Sequence, residues 1–134
     1  MVNVRIAYPE DLPAIKKIAD ANKKEIGFIV RPIFEESIQN QELFVACKLN
    51  GEIVGFVRWH HRRDEWNTVY EICVRNDSRR DGIGKLLLAQ IPKPIQLKCP
   101  VDNASNKFYE HIGFSLISKE QGRKRMLNLW VCVV

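Results

Sequence analysis

The run Arg79-Arg80-Asp81-Gly82-Ile83-Gly84-Lys85 brings together the residue types that hold a phosphate: two glycines, three cations and an apolar stretch ready to enter a helix. Helix N-termini leave backbone N–H groups unpaired and carry a partial positive charge, which suits an anion. Gly82 and Gly84 let the backbone approach that anion closely and adopt a positive φ. A tight loop entering a helix, with its arginines in solvent, uses the same residues, and the run alone does not separate the two. Two familiar phosphate motifs are excluded. A dinucleotide fingerprint needs a third glycine where Leu87 stands, and a P-loop needs Ser or Thr where Leu86 follows Lys85.

Other residues offer proton chemistry. Glu71 lies in a strand-like stretch and has two roles open to it: a general base, or the ion-pair partner of a nearby arginine such as Arg58. His60 and His61 carry imidazoles, but in a His-His-Arg-Arg turn they read as surface residues. The four cysteines (Cys47, Cys73, Cys99, Cys132) are far apart and lack zinc-site spacing. Each sits in an apolar stretch, where a free thiol behaves as a small buried hydrophobe. Neither a metal nor a disulfide is expected. Lys and Arg total 21 against 16 Asp and Glu, and the net charge of +5 favours polyanionic partners: nucleotide cofactors, nucleic acid or acidic surfaces.

The elements that must position these residues follow from periodicity. At 134 residues the chain reads as one domain, 1–134. Val2 to Ala7 is a first strand, and Pro9-Glu10-Asp11 opens a helix with negative charge at the positive end of its dipole. Leu12, Ile15 and Ile18 give that helix a buried face as far as Asn22, and Gly27 ends the segment. Pro32 starts a second helix with Ile33, Phe34 and Ile38 on its apolar side. Leu43 to Leu49, Asn50-Gly51 and Ile53 to Trp59 form the strongest hairpin signal, and Trp66 to Arg75 is a fourth strand. A helix over Gly82 to Gln90, a strand over Ile95 to Val101 and a helix over Asn103 to His111 come next. Phe114 to Ser118 and Arg125 to Val133 close with a hairpin. No apolar run approaches the ~18 residues of a membrane span, and the N-terminus lacks the apolar core of a secretory signal, so a cytoplasmic location is expected.

The run Val74 to Gly84 resembles the acyl-CoA-binding motif of the GNAT superfamily of N-acetyltransferases, Arg/Gln-x-x-Gly-x-Gly/Ala, with Arg79, Gly82 and Gly84 in its defining positions. Asn103-Ala104-Ser105-Asn106-Lys107-Phe108-Tyr109, followed by Gly113-Phe114, is similar to the family's Asn-to-Phe-Tyr segment. The chain departs from the family where Arg80 replaces a common Gly, Asn76 a Pro and Asn106 an Ala.

The resemblance implies a mixed α/β fold: a mostly antiparallel sheet of about seven strands, about four helices, and a splay between strands four and five, which Pro100 suits. It implies direct transfer of an acetyl group from acetyl-CoA to a primary amine of a small molecule, peptide N-terminus or lysine. Backbone groups of Ile72 and Val74 would hold the pantetheine arm, and Arg79, Arg80, Asp81, Gly82, Ile83, Gly84 and Lys85 the phosphates. Asn103 is either a pantetheine ligand or a helix cap, Asn106 reaches toward the phosphates, and Tyr109 is the general acid, with a core aromatic as its bland alternative. Glu71 matches a position where some relatives carry a catalytic carboxylate. The acceptor would be chosen by Lys23 to Val30 and Glu120 to Arg125, and an exposed edge at Leu129 to Val134 allows a homodimer. Two rivals stay open: an inactive CoA-binding regulator, and a nucleic-acid module built on Arg62-Arg63 with Trp59 and Trp66. The second leaves the Gly-x-Gly run and the Tyr109 segment unexplained.

Overall fold

The computed structural model describes all residues, Met1 to Val134. Seven strands form one sheet: β1 (Val2–Ile6), β2 (Leu43–Lys48), β3 (Ile53–His61), β4 (Asn67–Val74), β5 (Ile95–Pro100), β6 (Ser115–Gln121) and β7 (Met126–Cys132), in the order β1-β2-β3-β4-β5-β7-β6. Five helices surround it: α1 (Leu12–Ala21), α2 (Lys23–Ile26), α3 (Arg31–Gln39), α4 (Ile83–Ala89) and α5 (Ser105–His111). The fifth, beyond the four expected, arises because the α1 ladder stops at Asn22 and restarts as the single turn α2 before Gly27, at φ +82°, ends it. All neighbours are antiparallel except β4 and β5. No helix is long and apolar enough to cross a membrane.

Two cores flank the sheet. On one face α1 and α3 bury Ile15, Ile18, Phe34 and Ile38 against Val45, Phe56 and Cys73. On the other, α4 and α5 bury Leu87, Leu88 and Tyr109 against Val57, Leu97 and Trp130. The first of these cores draws its strand residues from β2, β3 and β4 alone. The opposite face of β5, β7 and β6 therefore lacks a helical cover. Leu129 to Val134 is not an exposed edge: β7 lies between β5 and β6, and the true edges are β1 and β6. A run of apolar residues at the chain end is what an interior strand shows.

The parallel pair is short. Asn67, Thr68 and Val69 pair with Ile95, Gln96 and Leu97, and there the ladder stops. β5 stays with β7 as far as Pro100 opposite Leu127, while β4 stays with β3 as far as Val74 opposite Gly55. The two strands diverge at a β-bulge. Trp59 faces Val69 and Arg58 faces Glu71, which leaves Tyr70 as an extra residue on β4.

The first helix is anchored at its start. Arg5 donates twice to the Asp11 carboxylate (2.7 and 3.0 Å), and the Tyr8 N–H donates to it as well (2.7 Å). Asp11 thus does more than face the helix dipole: it ties α1 to β1. Burial works against its charge, but the Arg5 and Tyr8 bonds outweigh it and hold the carboxyl below its ordinary 3.8. Such a group stabilises the fold at pH values above the ordinary carboxylate range, and its contribution is lost as pH falls through the depressed value. Asp11→Asn is expected to lose about 1–3 kcal/mol at pH 7 in urea unfolding, and the gap from wild type should close below about pH 4.

Candidate active site

The bulge at Tyr70 decides which way β4 presents its backbone. Before it, the Asn67 N–H bonds Pro94 O across to β5 (3.0 Å); after it, the Arg75 N–H bonds Val54 O on the β3 side (2.7 Å). Backbone groups of an antiparallel pair alternate in direction. Glu71, Cys73 and Arg75 therefore bond toward β3, while the N–H and C=O groups of Ile72 and Val74 point into the gap that β5 has left. Without the extra residue these two would be bonded to β3 and the gap would be edged by Glu71 and Cys73. The expected splay thus exists, with its two expected residues on its rim.

The glycine-rich run lies at the mouth of this gap. Gly82 has φ +75°, the left-handed conformation, and the first bond of α4 runs from the Leu86 N–H to Gly82 O (3.1 Å). The N–H groups of Ile83, Gly84 and Lys85 are left over by that ladder. Gly84 does something other than expected. Its φ is not positive, and a Cβ there would lie 2.9 Å from Cζ of Phe108, so its smallness lets the α5 ring rest on the first turn of α4. Arg80 also has a positive φ, +73°. The backbone shape thus explains why glycine is common there in the family it resembles. Asp81 and Lys85 are exposed.

Arg79 turns inward. Its Nε donates to Val74 O (3.1 Å) and its Nη2 to Asn22 Oδ1 (2.7 Å). Asn22 is only 3% exposed and donates through Nδ2 to Ile18 O (2.9 Å), so it caps α1 and holds Arg79 together. Nothing in the sequence distinguishes Asn22 from any polar helix end, and its role appears only when α1 is seen to finish over β4. Burial pushes the neighbouring Cys73 thiol up to about 11, with Arg79 opposing, so it stays a protonated core group.

On the other wall, the Asn103 side chain accepts the Ser105 N–H (2.8 Å), as a helix cap does. Asn106 is fully engaged. Its Nδ2 donates to Pro100 O and Asn103 O (both 2.8 Å), and its Oδ1 accepts from Asn128 Nδ2 (3.0 Å) and Trp130 Nε1 (2.8 Å). It therefore clamps the β5–α5 turn to β7, and reaching a phosphate would break this set. Tyr109 is 6% exposed amid Phe108, Phe114 and Trp130, and burial, with Cys99 adding, raises its hydroxyl pKa well above the ordinary phenol value.

Glu71 takes the ion-pair role. Arg58 Nε and Nη2 donate to its two oxygens at 2.6 and 2.8 Å, both side chains being mostly buried. The same guanidinium lies 4.6 Å from the Tyr70 ring centre, against which His60 also stacks. His60 Nδ1 faces Glu42 Oε1 (2.9 Å) and His61 Nδ1 faces Asn67 Oδ1 (2.7 Å), at the far end of β3 from the glycine-rich run. Trp59 is stacked on Phe44, and neither Trp59 nor Trp66 is fully exposed.

Two expectations follow. Asn106→Ala would strand the buried donors of Asn128 and Trp130, and should lower stability in urea unfolding by about 2–4 kcal/mol. Arg80→Gly removes a left-handed residue with a Cβ, so its unfolding midpoint should rise, by an amount equivalent to at most about 1 kcal/mol.

Comparison with known proteins is consistent with this geometry. The family model described as an acetyltransferase (GNAT) domain matches residues 17–128. The chain is 26% identical over 140 residues to the uncharacterized N-acetyltransferase ycf52 of Gracilaria tenuistipitata var. liui, covering 94% of this chain and 74% of that relative. A GNAT-family acetyltransferase from Bacillus cereus ATCC 10987 superposes with a TM-score of 0.82 at 19% identity, over 99% of this chain and 97% of that one. Arabidopsis thaliana NAA60 in complex with acetyl-CoA superposes with a TM-score of 0.82 at 15% identity, over the whole of both chains.

Proposed function

Because this chain belongs to the GNAT acetyltransferase family, we propose that residues 1–134 act as one acetyltransferase domain, moving an acetyl group from acetyl-CoA directly to a primary amine. The observation that carries this reading is the pair of rim residues, Ile72 and Val74, facing a gap whose mouth is the left-handed turn at Gly82. An extended pantetheine arm bonds to a free strand edge as a missing strand would. The pyrophosphate then meets the unpaired N–H groups of Ile83, Gly84 and Lys85. Arabidopsis NAA60, which shares the fold, was solved with acetyl-CoA.

Attack of the amine on the thioester carbonyl creates an oxyanion and then expels the thiolate of CoA. The Val74 N–H serves the oxyanion, an interaction that strengthens as charge develops. Tyr109 supplies the proton to the thiolate. Its raised pKa keeps the phenol protonated throughout the neutral and mildly alkaline range, so a donor is always present. Glu71 is given no proton to carry, since both its oxygens are engaged by Arg58. Its part is to hold Arg58 beside the bulge, and the amine loses its proton to solvent.

Thermal unfolding with acetyl-CoA at 100 times its dissociation constant is expected to show about 2.7 kcal/mol of added stability, a rise of several degrees in Tm. Gly82→Pro should remove the shift; a wild type without one refutes the proposal. Tyr109→Phe should keep the shift while lowering kcat at least about tenfold, and an unchanged kcat would take the acid role from Tyr109.

A further inference from the structure

The basic excess of the chain is concentrated in two places. Residues 23–31 hold Lys23, Lys24 and Arg31 against Glu25, and residues 119–125 hold Lys119, Arg123, Lys124 and Arg125 against Glu120. These segments carry net charges of +2 and +3, which is the whole net charge of +5; elsewhere 14 cations balance 14 anions. Glu120 is itself neutralised by Lys98 (2.7 Å).

The two segments flank the same opening. α1 ends over β4, where Asn22 meets Arg79 and the Cys73 thiol approaches Ile18 O, so residues 23–31 start beside the β4 rim. The β6–β7 hairpin turns beyond the far end of β5: Leu127 pairs with Pro100, and the Val101 N–H bonds Met126 O (3.1 Å). One basic segment therefore stands on each wall of the gap, and the sheet face between them has no helix over it. Leu127 and Leu129 on that face are only partly buried.

We infer that the amine acceptor is presented by an acidic polypeptide segment, with carboxylates close to the amine and apolar side chains against the open face of β7. The inference rests on the acetyl-transfer reading and deepens it. The open, uncapped face fits an extended chain rather than an enclosed metabolite. A stacked base would have to compete with contacts the nearby aromatics already make, although both rings stay exposed: Lys16 Nζ lies 4.1 Å over the Phe28 ring, and Arg58 and His60 lie on Tyr70. Opposite charge on both walls raises the local concentration of such a segment and fixes its direction.

The test is fluorescence anisotropy in the presence of CoA. Peptides of about ten residues with a free N-terminus would be compared, identical except for acidic, neutral or basic residues after the first. The acidic peptide is expected to bind at least about tenfold tighter than the neutral one at low salt, with most of that preference gone near 0.5 M salt. Arg123→Glu/Lys124→Glu/Arg125→Glu should abolish the preference while keeping the acetyl-CoA unfolding shift, which also shows that the variant folds. Lys23→Gln/Lys24→Gln should remove part of it. Equal or tighter binding of the neutral peptide, or a preference that survives the charge reversal, overturns the inference while leaving acetyl transfer intact. Tighter binding of a single-stranded RNA through the same hairpin also overturns it and assigns the patch to nucleic acid. Loss of the acetyl-CoA shift in the wild type would instead remove the acetyl-transfer reading and this one together.

Discussion

One inserted residue governs the centre of this molecule. With Tyr70 in the ladder, the alternation of β4 reverses between Val69 and Glu71, and the strand that begins by bonding to β5 ends with Ile72 and Val74 bonded to neither neighbouring strand, only Val74 O being taken, by Arg79. A regular strand at this place would turn Glu71 and Cys73 to the gap and bond Ile72 and Val74 to β3. The bulge also brings Tyr70 out to the sheet surface, where Arg58 and His60 lie on its ring and Glu71 secures Arg58 from the next position. Ion pair, stack and bulge hold one another, so the irregularity is defined rather than loose.

The two walls of the gap are held by different means. On the β4 side a single cation, Arg79, joins the strand end to the buried amide of Asn22, so the donor-binding turn and the loop after α1 share an anchor. On the β5 side a neutral amide, Asn106, gathers the turn before α5 and two side chains of β7. Phe108 against Gly84 links the helices above. Charge serves where solvent is near, and amide bonds serve where it is not.

How far the sequence could be read divides along the same line. The order of strands and helices was legible because each element carries its own period, as in Leu43 to Leu49 or Leu12, Ile15 and Ile18. The turn at Gly82 was legible because one residue type fits a left-handed entry to a helix. Gly84 was harder, since its purpose is space for a ring 24 positions away. The bulge at Tyr70 and the partnership of Asn22 with Arg79 depend on which strands and helices meet, and no local pattern announces either. Arg58 with Glu71 was open as one of two readings, and only the register of β3 on β4 brings them face to face. The edge at β7 was misplaced for a related reason: that the last strand inserts between β5 and β6 is a fact of topology.

The uneven covering of the sheet has a mechanical side. β2, β3 and β4 are clamped between helices on both faces, whereas β5, β7 and β6 are backed on one face and joined to the rest by three residues of parallel pairing and by the core under α4 and α5. Under load such a sheet does not bend uniformly. Bending costs least at the narrow seam, where fewest ladder bonds resist it, so the singly backed half is the compliant jaw and the doubly backed half the stiff one. A small swing of β5, β7 and β6 would widen or narrow the gap without reshaping the strand that bears Val74 or the turn at Gly82.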